Sequence, residues 1–120
     1  MTEIQALLLI KSILESADIH GIEHMLTEDC EYLSTGRGII GRNRNETVEF
    51  LSSMTESIKA DNVPVTCKVM HITDVYEEDA LFHEGRHGLT VSYESGDNYV
   101  YLLFVDLNDE GLVCLLYTSD

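Results

Sequence analysis

Tyr99-Val100-Tyr101-Leu102-Leu103-Phe104-Val105 is apolar at every position, and its reading decides the architecture. Along a strand successive side chains point to opposite faces. Both faces of this segment therefore carry bulk: Tyr99, Tyr101, Leu103 and Val105 on one, Val100, Leu102 and Phe104 on the other. β-Branched and aromatic residues at this density favour extended chain. A period of two continues to either side, with strands predicted near 65–77, 80–94, 98–107 and 112–118. Between them lie Glu78-Asp79, Ser95-Gly96-Asp97-Asn98 and Asn108-Asp109-Glu110-Gly111, all turn-prone. Turns this short join antiparallel neighbours. An antiparallel sheet ordinarily leaves one face in water, but here both faces need cover. Helices can cover one. A second copy of the chain is expected on the other, giving a homodimer through the outer sheet face.

The period is helical before residue 65. Over residues 3–17, Ala6, Leu7, Leu9, Ile10, Ile13, Leu14 and Ala17 form an apolar face opposite Glu3, Gln5, Lys11, Ser12 and Glu15. Asp18 can cap a short second helix through about Leu26. Cys30 to Thr35 reads as a strand, followed by Gly36-Arg37-Gly38 as a turn. Asn43, with Glu46 three residues later, opens a third helix that buries Val48, Phe50, Leu51, Met54 and Ile58 and stops before Pro64. The predicted order is α-α-β-α-β-β-β-β, an α+β chain forming one domain over residues 1–120, with no repeat and no linker.

Twenty-two acidic residues against seven Lys and Arg leave a net charge of −15. Phosphate backbones need clustered cations, so no nucleic acid is expected as partner. Anionic membranes are disfavoured for the same reason. Met1-Thr2-Glu3 has no basic leader, and Leu7-Leu8-Leu9-Ile10 is cut short by Lys11. The three cysteines, Cys30, Cys67 and Cys114, have no paired spacing and sit in apolar contexts, which suits buried, reduced thiols. A cytoplasmic location is expected.

Three further stretches carry a likeness. They are Glu15-Ser16-Ala17-Asp18-Ile19, then Met25-Leu26-Thr27-Glu28-Asp29-Cys30-Glu31-Tyr32, then Ile40-Gly41-Arg42-Asn43 leading into Glu46-Thr47-Val48-Glu49-Phe50-Leu51. In this order they resemble the nuclear transport factor 2-like superfamily, with its SnoaL-like cyclases and steroid isomerases. The resemblance spans nearly the whole chain. It implies three N-terminal helices packed in the concave face of a strongly curved, mainly antiparallel sheet, a cone open at one end to a mostly apolar pocket. It also implies where a steroid isomerase would hold its base and its oxyanion donor. Those positions fall at Ser34 and about Ile10, and Glu31 has the wrong strand parity to replace the base. Steroid-isomerase chemistry is therefore not expected.

Within the implied cone, parity turns His71, His83 and His87 inward, with Tyr32 joining from the first strand. These four are the candidate catalytic groups: imidazole is the side chain that exchanges a proton near pH 7, and the phenol can donate a hydrogen bond. The pocket wall is assigned to Ile10, Leu14, Phe50, Met54, Leu89, Tyr99 and Tyr101. His20-Gly21-Ile22-Glu23-His24 matches the H-x-x-E-H zinc pattern, but a short helix interrupted by glycine reads as surface histidines. No metal site and no cofactor is expected. Three functions stay open: a binder of a small apolar molecule, a SnoaL-like isomerase, cyclase or dehydratase with a pocket histidine as base, and an acidic protein-interaction module with a filled cone.

Overall fold

A computed structural model describes residues 1–71, 85–94 and 99–119. Helix α1 spans Glu3–Ser16, a 3₁₀ turn Ile22–Met25, strand β1 Leu26–Ser34 and strand β2 Gly38–Gly41. Helix α2 follows over Arg44–Asp61, then β3 Val65–His71, β4 His87–Tyr93, β5 Tyr99–Leu107 and β6 Val113–Thr118. The strands make one sheet in the order β2-β1-β6-β5-β4-β3. Five neighbours would all be antiparallel in a simple meander, but β1 runs parallel to β6, so the sheet is mixed. Bulges between Tyr32 and Leu33 and between Asp106 and Leu107 bend it.

Three expectations are corrected. Among the described residues there are two α-helices, not three. The second helix expected at Asp18–Leu26 shrinks to the single turn Ile22–Met25. Asp18 Oδ1 instead accepts the His20 N–H at 3.0 Å, and Gly21 at φ 83° turns the chain away from helix. Leu26, placed at that helix's end, already belongs to β1. Finally, Gly38, expected as the end of a turn, opens a strand Gly38–Gly41 that pairs with β1 as a hairpin and that no expectation included.

Both α-helices start on side-chain caps. Thr2 Oγ accepts the Gln5 N–H at 3.2 Å while Gln5 Oε1 accepts the Thr2 N–H at 2.9 Å. At α2, Asn43 Oδ1 accepts from Glu46, and Glu46 Oε1 accepts from the Arg42 N–H. Each helix ends on a left-handed residue, Ala17 and Asn62.

Parity governs the sheet as the sequence implies. One face carries Tyr32, Cys67, Leu89, Val91, Tyr101, Leu103, Val105 and Leu116, all buried. Ala6, Leu7, Ile10 and Leu14 of α1 complete that core. Helix α2 meets β1 and β2 through Thr47, Leu51 and Thr55; of the face expected, Leu51 is buried, and Val48, Phe50 and Met54 are partly buried against the core. Thr47 Oγ1 donates to the Cys30 carbonyl at 3.1 Å and Thr55 Oγ1 to the Ser52 carbonyl at 2.9 Å, so neither buried hydroxyl is left unsatisfied. On the edge strand β3, the outward Cys67 N–H donates to Glu15 Oε2 of α1 at 2.9 Å, which occupies part of an otherwise open edge. The Lys11 ammonium at 2.7 Å, and then this N–H, hold the Glu15 carboxyl below the usual range.

All three cysteines are free thiols. Burial pushes the Cys30 thiol up to about 12 and Cys67 up to about 11, and raises Cys114 as well. A raised value keeps the thiol protonated, hence unreactive, at pH 8. Treating native protein with N-ethylmaleimide at pH 8 should leave Cys30 and Cys67 unlabelled by peptide mass spectrometry, and denaturation should expose both. Rapid native labelling of either would contradict their burial.

Candidate functional site

A cavity of about 500 Å³ opens between α2, the β1–β2 hairpin and the inner face of β4 and β5. Its α2 wall is a stripe at helical spacing: Phe50, Ser53, Met54, Ser57, Ile58 and Asp61. Tyr32 comes from β1, Arg37 and Ile40 from the hairpin, Val63 from the turn after α2, and Tyr93 and Tyr101 from the sheet. The Tyr32 and Phe50 rings lie 5.0 Å apart. Most of this lining is apolar, which suits a small organic ligand.

The polar centre of the cavity is a tyrosine pair. Val91 stands opposite Tyr101 across β4 and β5, and Tyr93 opposite Tyr99, so Tyr93 and Tyr101 are diagonal neighbours on one face. Their hydroxyls are 2.8 Å apart and their rings 5.7 Å apart. The Tyr93 hydroxyl also donates to Met54 Sδ at 3.5 Å. A thioether is a weak acceptor. A ligand oxygen reaching this point would offer the phenol a better one.

The residues expected to form the site are divided by the structure. Tyr32, Phe50, Met54 and Tyr101 line the cavity. Ile10, Leu14 and Leu89 do not; they are 4%, 1% and 0% exposed, packed in the core between α1 and the sheet. His83 lies outside the described residues, as does the side chain of Tyr99. His71 and His87 have the expected parity but the wrong position along the strand. They face each other across β3 and β4 at the end opposite Tyr93, with ring centroids 5.0 Å apart. Six residue steps of strand separate His87 from Tyr93, roughly 20 Å at about 3.3 Å per step.

At that rim His87 is engaged by Glu3 of α1. Glu3 Oε1 accepts the His87 backbone N–H at 3.0 Å and lies 3.4 Å from Nδ1. Its other oxygen is 3.3 Å from the Arg86 guanidinium, which in turn meets Asp106 Oδ1 at 2.7 Å and the Val105 carbonyl. This network fastens the start of α1 to the sheet. His71 itself is exposed. His20 and His24 are also exposed, and among the described residues no group of three or more His, Cys, Asp or Glu is placed to hold a metal ion.

Sequence reasoning missed Tyr93, Ser53, Ser57 and Asp61 as site residues. Tyr93 shares its strand parity with His87 and Leu89, so the signal existed. The α2 stripe was hidden because serines and an aspartate interrupt its apolar positions.

No protein-family model and no curated protein matches the sequence. Solved structures do match the fold. One is a protein with a cystatin-like fold from Silicibacter pomeroyi, at TM-score 0.66 and 14% identity over 98% of this chain and 75% of that one. Another is an epoxide hydrolase from M. tuberculosis of the LEH-like kind, at TM-score 0.59 and 18% identity over 98% and 80%. A third is SalBIII, an epoxide hydrolase/cyclase-like enzyme of pyran ring formation in salinomycin, at TM-score 0.61 and 14% identity over 96% and 88%. Identities this low speak for the fold alone. The fold is the cystatin-like, nuclear transport factor 2-like one that the three sequence stretches resemble.

Proposed function

We propose that the chain binds a small, neutral, mostly apolar molecule in the cavity beneath α2, oriented by a hydrogen bond to the Tyr93–Tyr101 pair. The observation that carries this reading is the pairing of those two hydroxyls at 2.8 Å inside an otherwise largely apolar space of about 500 Å³. Charge supports a neutral ligand, because Arg37 and Asp61 contribute one charge of each sign to the lining.

Native mass spectrometry of purified protein should retain a bound small molecule, and a panel of neutral ketones, esters and phenols should raise Tm. Tyr101→Phe should weaken the best ligand about tenfold, the effect of one lost hydrogen bond of about 1.4 kcal/mol. Met54→Trp should fill the space and abolish binding. Full binding in Met54→Trp would place the ligand elsewhere.

An enzymatic form of this reading, an isomerase, cyclase, dehydratase or hydrolase, draws support from the two epoxide-transforming neighbours of the fold. His71 and His87 give it none. Asp61 and the tyrosines are the proton-exchanging groups at the cavity. Turnover of an epoxide panel that disappears in Asp61→Asn would favour it.

A homodimer through the outer sheet face belongs to the same proposal. Val100 and Met70 point outward there at 59% and 41% exposure, and a second copy would cover them. Sedimentation should then give twice the chain mass, falling to the chain mass in Val100→Lys. Among the described residues no helix is long and apolar enough to cross a membrane. The three free thiols support a reducing compartment, the cytoplasm.

A further inference from the structure

A second depression shares no lining residue with the tyrosine cavity. It measures about 470 Å³ and runs between α1, the 3₁₀ turn and the β5–β6 turn. Its apolar side is Leu9, Ile13, Ile22 and Met25, and its rim includes the carboxylates of Asp18 and Glu110. It continues along α1 into a shallower hollow formed by Met1, Gln5, Leu8 and Leu9.

Helix α1 is apolar on more of its circumference than the core needs. Ala6, Leu7, Ile10 and Leu14 are spent on the sheet, yet Ile4, Leu8 and Leu9 remain 41%, 47% and 48% exposed. With Met1 they make up most of the exposed large hydrophobic side chains among the described residues. On a chain of net charge −15, such a concentration of bare apolar surface marks a contact site.

Charge selects the occupant. Among the described residues no Lys or Arg side chain lines the depression; its basic groups are His20, His24 and the Met1 amino group, the last bonded to the Gly111 carbonyl. Lys11, the one cationic side chain of α1, is held by Glu15 at 2.7 Å. Asp109 stands beside Glu110 in sequence, Glu23 lies between the lining residues Ile22 and His24, and both acids are exposed. A second copy seated here would set one acidic rim against another, and an anionic lipid surface would meet the same repulsion. We infer that this groove docks a basic amphipathic segment of a partner protein, its leucine-like side chains on Leu9 and Ile13 and its Lys or Arg side chains at Asp18 and Glu110. An amphipathic helix laid in an apolar groove is an established mode of peptide recognition.

Fluorescence anisotropy with a labelled Leu/Lys amphipathic peptide tests this, beside a Leu/Glu peptide of the same pattern and a scrambled Leu/Lys peptide. The patterned Leu/Lys peptide should bind, and binding should weaken about tenfold on raising salt from about 0.05 to 0.5 M. Leu9→Ser, a change on an exposed position, should weaken it about tenfold with an unchanged circular dichroism spectrum. Tyr101→Phe should leave it unaltered, which separates this groove from the tyrosine cavity. Equal binding of the scrambled peptide, or undiminished binding by Leu9→Ser, would reduce the effect to bulk charge attraction and overturn the proposal. Preference for the Leu/Glu peptide would overturn the choice of partner. Self-association of the wild type that Leu9→Ser abolishes would give the groove to a second copy instead.

Discussion

Leu89→Ala is expected to destabilise the fold by about 2–5 kcal/mol and to leave ligand affinity in the tyrosine cavity unchanged. Leu89 is 0% exposed and stands mid-strand in β4, opposite Val69 of β3 and Leu103 of β5. Helix α1 packs over these three strands, so Leu7, Ile10 and Leu14 belong to the same cluster. Truncation removes three carbons from a filled interior and leaves a void that a sheet pinned by ladders on both sides cannot close. The loss is therefore transfer energy plus a cavity term, and the upper half of the range applies where the walls are rigid. In urea titrations the midpoint should fall with little change in slope. Tyr101→Phe should behave the other way, changing ligand affinity more than stability, because only a hydroxyl at the cavity is lost. If Leu89→Ala weakened the ligand as much as Tyr101→Phe does, the cavity would extend into the core and the wall first assigned from sequence would be right.

Leu89 illustrates what a sequence can and cannot reveal about a site in this fold. Strand parity is legible, since it depends only on alternation, and the register bears it out by setting Cys67, Val69, Leu89, Val91, Tyr93, Tyr101 and Leu103 on one face. Depth along the strand is not legible. It depends on where each helix lies over the sheet, which no local pattern encodes. So Leu89 lies under α1 and is core, while Tyr93, four residues on, faces the space beside α2 and is cavity. His71 and His87 share that face too, but at the rim where Glu3 anchors α1. The same limit explains α2. Its contact with the sheet is made by Thr47, Leu51 and Thr55 because the helix approaches β1 and β2 closely, and small side chains permit that. A search for bulky apolar faces selects Phe50 and Met54, which line the cavity instead. The hairpin strand Gly38–Gly41 was hidden for another reason: four residues with a glycine at each end show no alternation.

Gly41→Ala is expected to cost about 3 kcal/mol, from overpacking at a contact whose neighbour has nowhere to go. A Cβ built at Gly41 would lie 2.5 Å from Thr47 Oγ1 and 2.9 Å from both the Cα and the N of Thr47. The hydroxyl could rotate away only by giving up its bond to the Cys30 carbonyl, and the backbone atoms belong to the first turn of a capped helix. Relief then requires α2 to move off the β1–β2 hairpin. That motion reaches the cavity, since Ile40 beside Gly41 and Phe50 on α2 both line it. Unlike Leu89→Ala, this substitution should therefore lower stability and ligand affinity together. Thr47→Ala in the same chain should not rescue it, because it removes the hydroxyl contact but neither backbone contact, and it leaves the buried Cys30 carbonyl without that donor. Thermal denaturation of Gly41→Ala, Thr47→Ala and the double variant, with and without the best ligand, distinguishes these outcomes. Recovery of wild-type stability in the double variant would mean that the side chain alone sets the close approach of α2 to the sheet.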